Sequence, residues 1–214
     1  MKKNMFSDEL FLNAPLVGII RNIPFEIIKK ILPVYVDSGL TTIEITMNTP
    51  EAEDIIQYAI QQYGDILNIG AGTVCDEHHL EKALQAGAGF IVSPVVNESV
   101  LLACVEKKIP IFPGAYTPTE IYRCWSLGAY MVKVFPATSL GACYIKEVKA
   151  PLNDIKLLPT GGVDLENIKS FFNAGASGVG MSGQLFNKTY IVNENWNKLR
   201  EHFKLLLDKL PGRL

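Results

Sequence analysis

Eight short runs rich in Val and Ile, each followed by a stretch of helical periodicity, recur from one end of this 214-residue chain to the other. Continuous apolar runs separated by amphipathic helices mark parallel strands, because a crossover helix is what carries the chain back to the same end of a sheet. The runs occupy residues 15–20, 42–47, 68–74, 90–94, 109–113, 131–135, 156–160 and 178–181, with helical patterns near 24–37, 50–63, 77–86, 97–107, 117–127, 143–149, 164–173 and 193–209. Eight such units close a barrel. The expected fold is therefore α/β, a (β/α)8 TIM barrel forming a single domain over 1–214, with a short extra N-terminal helix in residues 1–13. Ser38-Gly39, Ala86-Gly87-Ala88, Leu127-Gly128-Ala129 and Ala174-Gly175-Ala176 mark four joints where a helix stops at glycine and a strand begins. A doubly wound open sheet would alternate in the same way, but its Gly-x-Gly-x-x-Gly turn after the first strand is absent.

In a closed barrel alternate side chains of each strand point inward, and sites gather where the strands end. On strand two, Ile43 and Ile45 face the helices, so Thr42, Glu44 and Thr46 face in. On strand six, Val132 and Val134 face out, which sends Met131, Lys133 and Phe135 inward. Burying either charge alone costs several kcal/mol, so each must be paired, neutralised or used. A structural Glu44–Lys133 ion pair would satisfy both. Strands two and six lie on opposite walls of the ring, however, which favours two groups facing one small ligand. Desolvation frees a buried lysine's amine to attack a carbonyl and form an imine, and a facing carboxylate then shuttles protons.

Glycine-rich segments end the last two strands, Thr160-Gly161-Gly162 and Gly178-Val179-Gly180-Met181-Ser182-Gly183. Exposed backbone N–H groups there suit an anion such as phosphate, with the Ser182 hydroxyl as a further donor. Simple relief of crowding at the rim is the alternative. Gly70-Ala71-Gly72-Thr73 at the end of strand three offers close backbone approach or merely a tight turn.

Composition narrows the partners. Lys plus Arg number 20 against 22 Asp plus Glu, a net charge of -2 without long like-charged blocks, so a nucleic-acid surface is not expected. Cys75, Cys104, Cys124 and Cys143 are widely spaced and are expected as reduced thiols, and the adjacent His78 and His79 as a solvated face; no metal and no cofactor is expected. With no signal-type leader and no membrane-length apolar run, the expectation is a cytoplasmic protein without a membrane partner.

The segments Glu44, Gly70-Ala71-Gly72-Thr73, Ser93-Pro94, Phe112-Pro113-Gly114, Lys133-Val134-Phe135-Pro136 and Pro159-Thr160-Gly161-Gly162 closely resemble the bacterial 2-keto-3-deoxy-6-phosphogluconate and 4-hydroxy-2-oxoglutarate aldolase family, over about residues 15–186. The resemblance implies a class I carbon–carbon lyase of Entner–Doudoroff carbohydrate metabolism, usually a homotrimer, releasing pyruvate and glyceraldehyde 3-phosphate. It makes Lys133 the Schiff-base lysine and Glu44 the acid/base. Thr73 and Pro94 would line the pyruvyl end, Phe135 would pack beside the imine, and Thr160, Gly161, Gly162, Gly180 and Ser182 would hold the distal half and its phosphate.

One position departs from the pattern. Where the phosphogluconate enzymes usually place a substrate arginine after strand two, this chain has Asn48. The stretch Glu44-Ile45-Thr46-Met47-Asn48-Thr49-Pro50, with Arg21 ending strand one, looks more like the branch that cleaves the galactonate epimer. Arg21 would then clamp a carboxylate or phosphate, or else form a rim salt bridge. Two other readings keep the barrel without the imine: an isomerase or synthase acting on a phosphorylated ligand, and a non-catalytic metabolite-binding barrel.

Overall fold

The computed structural model describes residues 5–211. Helix α1 (Asp8–Asn13) precedes strand β1 (Leu16–Ile20), and the chain then alternates through α2 (Phe25–Ser38), β2 (Thr42–Thr46), α3 (Ala52–Tyr63), β3 (Asn68–Gly72) and α4 (Glu77–Gln85). It continues with β4 (Ile91–Val92), α5 (Glu98–Glu106), β5 (Ile111–Phe112), β6 (Gly114–Ala115), α6 (Pro118–Ser126), β7 (Val132–Val134) and α7 (Gly141–Lys149). The last elements are β8 (Leu157–Pro159), α8 (Ile168–Asn173), β9 (Val179–Met181), α9 (Lys188–Val192) and α10 (Trp196–Leu207).

Pairing is parallel throughout, in one run ordered β5-β4-β3-β2-β1-β9 and another ordered β6-β7-β8. Pro113 separates β5 from β6 because it has no N–H to give the ladder. Its carbonyl still accepts from Lys133 N at 2.9 Å, so β5 and β6 are two halves of one barrel position. The other seam is joined by the Thr160–Gly180 bridge and by Ser177 N donating to Leu157 O at 2.9 Å. Counted this way the sheet is a ring of eight parallel positions, the TIM barrel that the alternation predicts.

The four glycine joints hold as expected: Gly39, Gly87, Gly128 and Gly175 all adopt φ between 91° and 98°, the left-handed conformation that stops a helix. Helix α6 begins with a reciprocal cap, in which the Thr117 side chain accepts from Glu120 N and the Glu120 carboxylate from Thr117 N. Three boundaries differ from the expectation. The fifth strand runs past Pro113 to Ala115, helix α8 starts at Ile168 because 164–167 form a turn, and α9 is a short helix that the pattern near 193–209 did not include. Asn195 caps α10 by accepting from Lys198 N, which starts a new helix after α9.

Strand parity sorts the core into two. Ile43, Ile45, Val132 and Val134 pack with the helices, whereas Val17, Phe90, Val92, Phe112, Met131 and Leu158 fill the barrel with Phe11. Phe6 and Phe11 come from the N-terminal segment and plug the end of the barrel where strands begin. The Phe6 ring lies 5.4 Å from Phe90 and 5.2 Å from Tyr130. Each buried aromatic side chain of this kind contributes roughly 1.5–3 kcal/mol by leaving water. Asn68, fully buried at the start of β3, pins the plug: its Oδ1 accepts from Ser7 N at 2.7 Å and its Nδ2 donates to Ser7 O at 2.9 Å. With one end sealed, only the end where strands finish is open to a ligand.

Candidate active site

Glu44 and Lys133 both point into the barrel above that aromatic floor, as parity requires, and are 1% and 2% exposed. Ile19, Glu44 and Gly70 stand side by side across β1, β2 and β3, while Lys133 aligns with Gly114 and Leu158 on the far wall. No ion pair within 4 Å joins Glu44 to Lys133 among the described residues, and neither Glu44 carboxylate oxygen has a hydrogen-bond partner. A buried carboxylate left without partners is costly, and retained charges of this sort mark sites that do chemistry. The structural ion pair considered as an alternative is therefore absent.

Burial moves both groups toward their neutral forms. Desolvation raises the Glu44 carboxyl above its ordinary range, against the pull of Lys133 and Arg21. Desolvation lowers the Lys133 ammonium, Glu44 opposes that shift, and the Arg21 charge reinforces it. An uncharged amine inside an apolar tube is a nucleophile. The Phe135 ring lies 5.1 Å from Lys133 Nζ and is half-buried at the boundary between the amine and the open mouth.

Beyond Phe135 a cavity of about 140 Å³ is lined by Arg21, Thr160, Gly161, Gly162, Val163, Gly180, Ser182, Gly183 and Gln184, among others. Lys133 and Glu44 are not among its lining residues, whereas Phe135, beside the Lys133 amine, is. Among the described residues, the N–H groups of Gly162, Val163, Gly183 and Gln184 have no acceptor in the protein. Free N–H groups at glycine-rich strand ends beside a guanidinium are the kind of donors that hold anions. Gln184, just beyond the glycine-rich segment, was not expected because a backbone donor leaves no mark in residue type.

The remaining expected residues divide. Thr160 is buried in the cavity wall, and Gly180 is required beside it, since a Cβ there would lie 3.2 Å from Thr160 Cβ and closer still to its hydroxyl. Ser182 lines the cavity, but its hydroxyl donates to Ile19 O at 3.0 Å, so that proton is already engaged by the backbone. Thr73 follows β3 with φ 58°, half-buried. Pro94 packs its backbone against Gly114, where a Cβ would lie 2.9 Å from Pro94 Cα. Arg21 is exposed at the end of β1 and lines both this cavity and a neighbouring one of about 330 Å³ that also contains Lys188. Asn48 is exposed in the turn after β2 and lines neither cavity. Cys75, beyond Thr73, is a neighbour that was not expected: it sits near enough to Lys133 for each charge to bias the other.

A family model described as KDPG and KHG aldolase matches residues 8–202. The 2-dehydro-3-deoxy-6-phosphogalactonate aldolase of Escherichia coli (strain K12) is 34% identical over 174 residues, covering 80% of this chain and 84% of that protein. A solved native KDPGal structure superposes with a TM-score of 0.86 at 28% identity, covering 96% of each chain. KDPG aldolase from Legionella pneumophila, solved with pyruvate captured at low pH as a covalent carbinolamine intermediate, has a TM-score of 0.85 at 26% identity and covers 92% of this chain and 96% of its own.

Proposed function

The chain belongs to the KDPG and KHG aldolase family, and from that premise we propose that it is a class I aldolase cleaving 2-keto-3-deoxy-6-phospho sugar acids to pyruvate and glyceraldehyde 3-phosphate. The observation that carries the reading is a buried amine and an unpartnered buried carboxylate on opposite walls of a barrel sealed at its other end. The captured carbinolamine of the Legionella pneumophila enzyme supports a covalent route.

In this reading the neutral Lys133 amine adds to the C2 ketone, and the carbinolamine hydroxyl takes a proton from the buried Glu44 carboxyl and leaves as water, giving an iminium and a Glu44 carboxylate. Glu44, directly or through one water, takes the proton of the C4 hydroxyl as the C3–C4 bond breaks. The bonding electrons flow into the iminium and leave an enamine, and the phosphorylated aldehyde departs. Glu44 returns a proton to C3, and water hydrolyses the pyruvyl iminium to free the neutral Lys133 amine, the released proton going back to the Glu44 carboxylate. Thr73, Pro94 and Phe135 enclose the pyruvyl end. Thr160, Gly161, Gly162, Gly180 and Ser182 hold the distal half, with Arg21 as the cation beside the phosphate. The similarity to the Escherichia coli enzyme supports the galactonate epimer; Asn48, exposed and outside the cavities, stands where the phosphogluconate enzymes usually have a substrate arginine. The family description also supports cleavage of 4-hydroxy-2-oxoglutarate. A cytoplasmic homotrimer follows from the resemblance, and light scattering should give three times the 23.6 kDa chain.

The test pairs turnover with trapping. Pyruvate release is measured with the gluconate- and galactonate-derived phosphates and with 4-hydroxy-2-oxoglutarate, and pyruvate plus borohydride is scored by mass. Wild type should release pyruvate and gain one reduced pyruvyl group, and Lys133→Ala should do neither. Binding without pyruvate release would favour a metabolite-binding barrel, and turnover without an adduct would favour chemistry without an imine.

A further inference from the structure

The glycine turn after β8 cannot hold its own shape. Gly161 and Gly162 are successive left-handed residues, with φ 91° and 73°, and glycine is the residue with most backbone freedom to lose. Two neighbours confine the turn. On one side Thr138 leaves no room at Gly162, where a Cβ would lie 2.7 Å from Thr138 Cα. On the other side Asn167 Nδ2 donates to Gly162 O at 2.7 Å.

Asn167 is itself fixed in a reciprocal pair. Its Oδ1 accepts from Asp164 N at 2.9 Å, while Asp164 Oδ1 accepts from the N–H groups of Asn167 and Glu166, each at 2.9 Å. The Asp164 donor settles which end of the carboxamide is oxygen, so the other end must be the donor facing Gly162. In a trans peptide the C=O and the following N–H point in opposite directions. Holding the Gly162 carbonyl toward Asn167 therefore turns the Val163 N–H away from it. Val163 lines the cavity, and its N–H has no acceptor among the described residues.

We propose that Asn167 is a positioning residue for the distal phosphate: its carboxamide clamps the Gly162 carbonyl and so aims the Val163 N–H into the anion cavity. The inference rests on the phosphate reading of that cavity and adds the device that orients it. Asn167 touches no substrate; it removes in advance the freedom that a phosphate would otherwise have to freeze on binding.

Asn167→Asp isolates the effect, because it keeps the oxygen that receives Asp164 N but sets a second acceptor against the Gly162 carbonyl. Glycerol 3-phosphate, which has the phosphate but no carbonyl to react, is titrated by calorimetry into wild type, Asn167→Asp and Asn167→Ala. Steady-state cleavage is measured in parallel. The clamp predicts that Asn167→Asp weakens glycerol 3-phosphate about tenfold and raises KM for the phosphorylated acid similarly. It also predicts that kcat stays within about twofold, that turnover of unphosphorylated 4-hydroxy-2-oxoglutarate is unchanged, and that Asn167→Ala is affected less than Asn167→Asp. Unchanged glycerol 3-phosphate affinity in Asn167→Asp overturns the clamp, and so does an equal loss on both substrates accompanied by a fall in Tm. Wild type that does not bind glycerol 3-phosphate overturns it through the cavity reading, while wild type that binds glycerol 3-phosphate but forms no pyruvate adduct overturns the aldolase reading alone.

Discussion

Gly72 and Glu44 occupy adjacent strands so closely that a Cβ at position 72 would lie 2.7 Å from the Glu44 carboxyl carbon. The second glycine of Gly70-Ala71-Gly72 is thus neither a turn device nor a flexible joint; it is the space in which the carboxylate stands. Gly72→Ala should push that carboxylate off its position without touching Lys133. The pyruvate adduct should still form under borohydride while kcat falls about 10²-fold, the lower end of what proton transfer contributes. A kcat within twofold of wild type would mean that Glu44 moves freely and its placement does not matter.

Glu44→Gln should separate chemistry from stability. Turnover should drop by about 10² to 10⁴ while the imine still traps, since a carboxamide is too weak an acid and too weak a base to carry the proton. Stability should move the other way. The folded carboxyl titrates above its unfolded value of 4.5, so as pH rises from 4.5 the unfolded chain releases a proton that the folded one retains. Stability from this group is therefore lost across that window, and the variant should gain a few degrees in Tm at neutral pH. An unchanged or lower Tm at pH 7 would contradict the burial cost.

The Lys133 amine titrates in the opposite sense. Its folded value lies below 10.5, so between the two values the unfolded chain holds the extra proton and stability rises with pH. Lys133→Met should raise Tm at pH 7, with the advantage over wild type shrinking toward pH 10.5. For the same reason the rate of pyruvate adduct formation in wild type should reach half its maximum below pH 10.5. A midpoint at the ordinary lysine value would show an exposed, charged amine.

Asn68→Ala tests the sealed end. It removes both contacts to the Ser7 backbone and the 3.2 Å bond to Thr42 Oγ1, leaving partners stranded at a cost of about 1–3 kcal/mol. Denaturant unfolding should show that loss with kcat nearly intact, because Asn68 lies at the opposite end of the barrel from the open mouth. A collapse of turnover at full stability would place Asn68 in the chemistry instead.

Alternation, glycine joints and strand parity are local properties, set by backbone conformation and by which face of a strand meets an apolar layer, and they can be read along the chain. Eight βα units, the inward turn of Glu44 and Lys133, and the glycine-rich ends of β8 and β9 were legible for that reason. Closure across Pro113 and the short helix α9 were not, because hydrogen bonds from a neighbouring strand or a cap decide where an element starts and continues. Only the tertiary structure showed that Glu44 has no partner, that Asn68 ties down the plug, and that Asn167 holds the Gly162 carbonyl. Each depends on groups distant in sequence or on the direction of a single peptide plane, and residue type records neither.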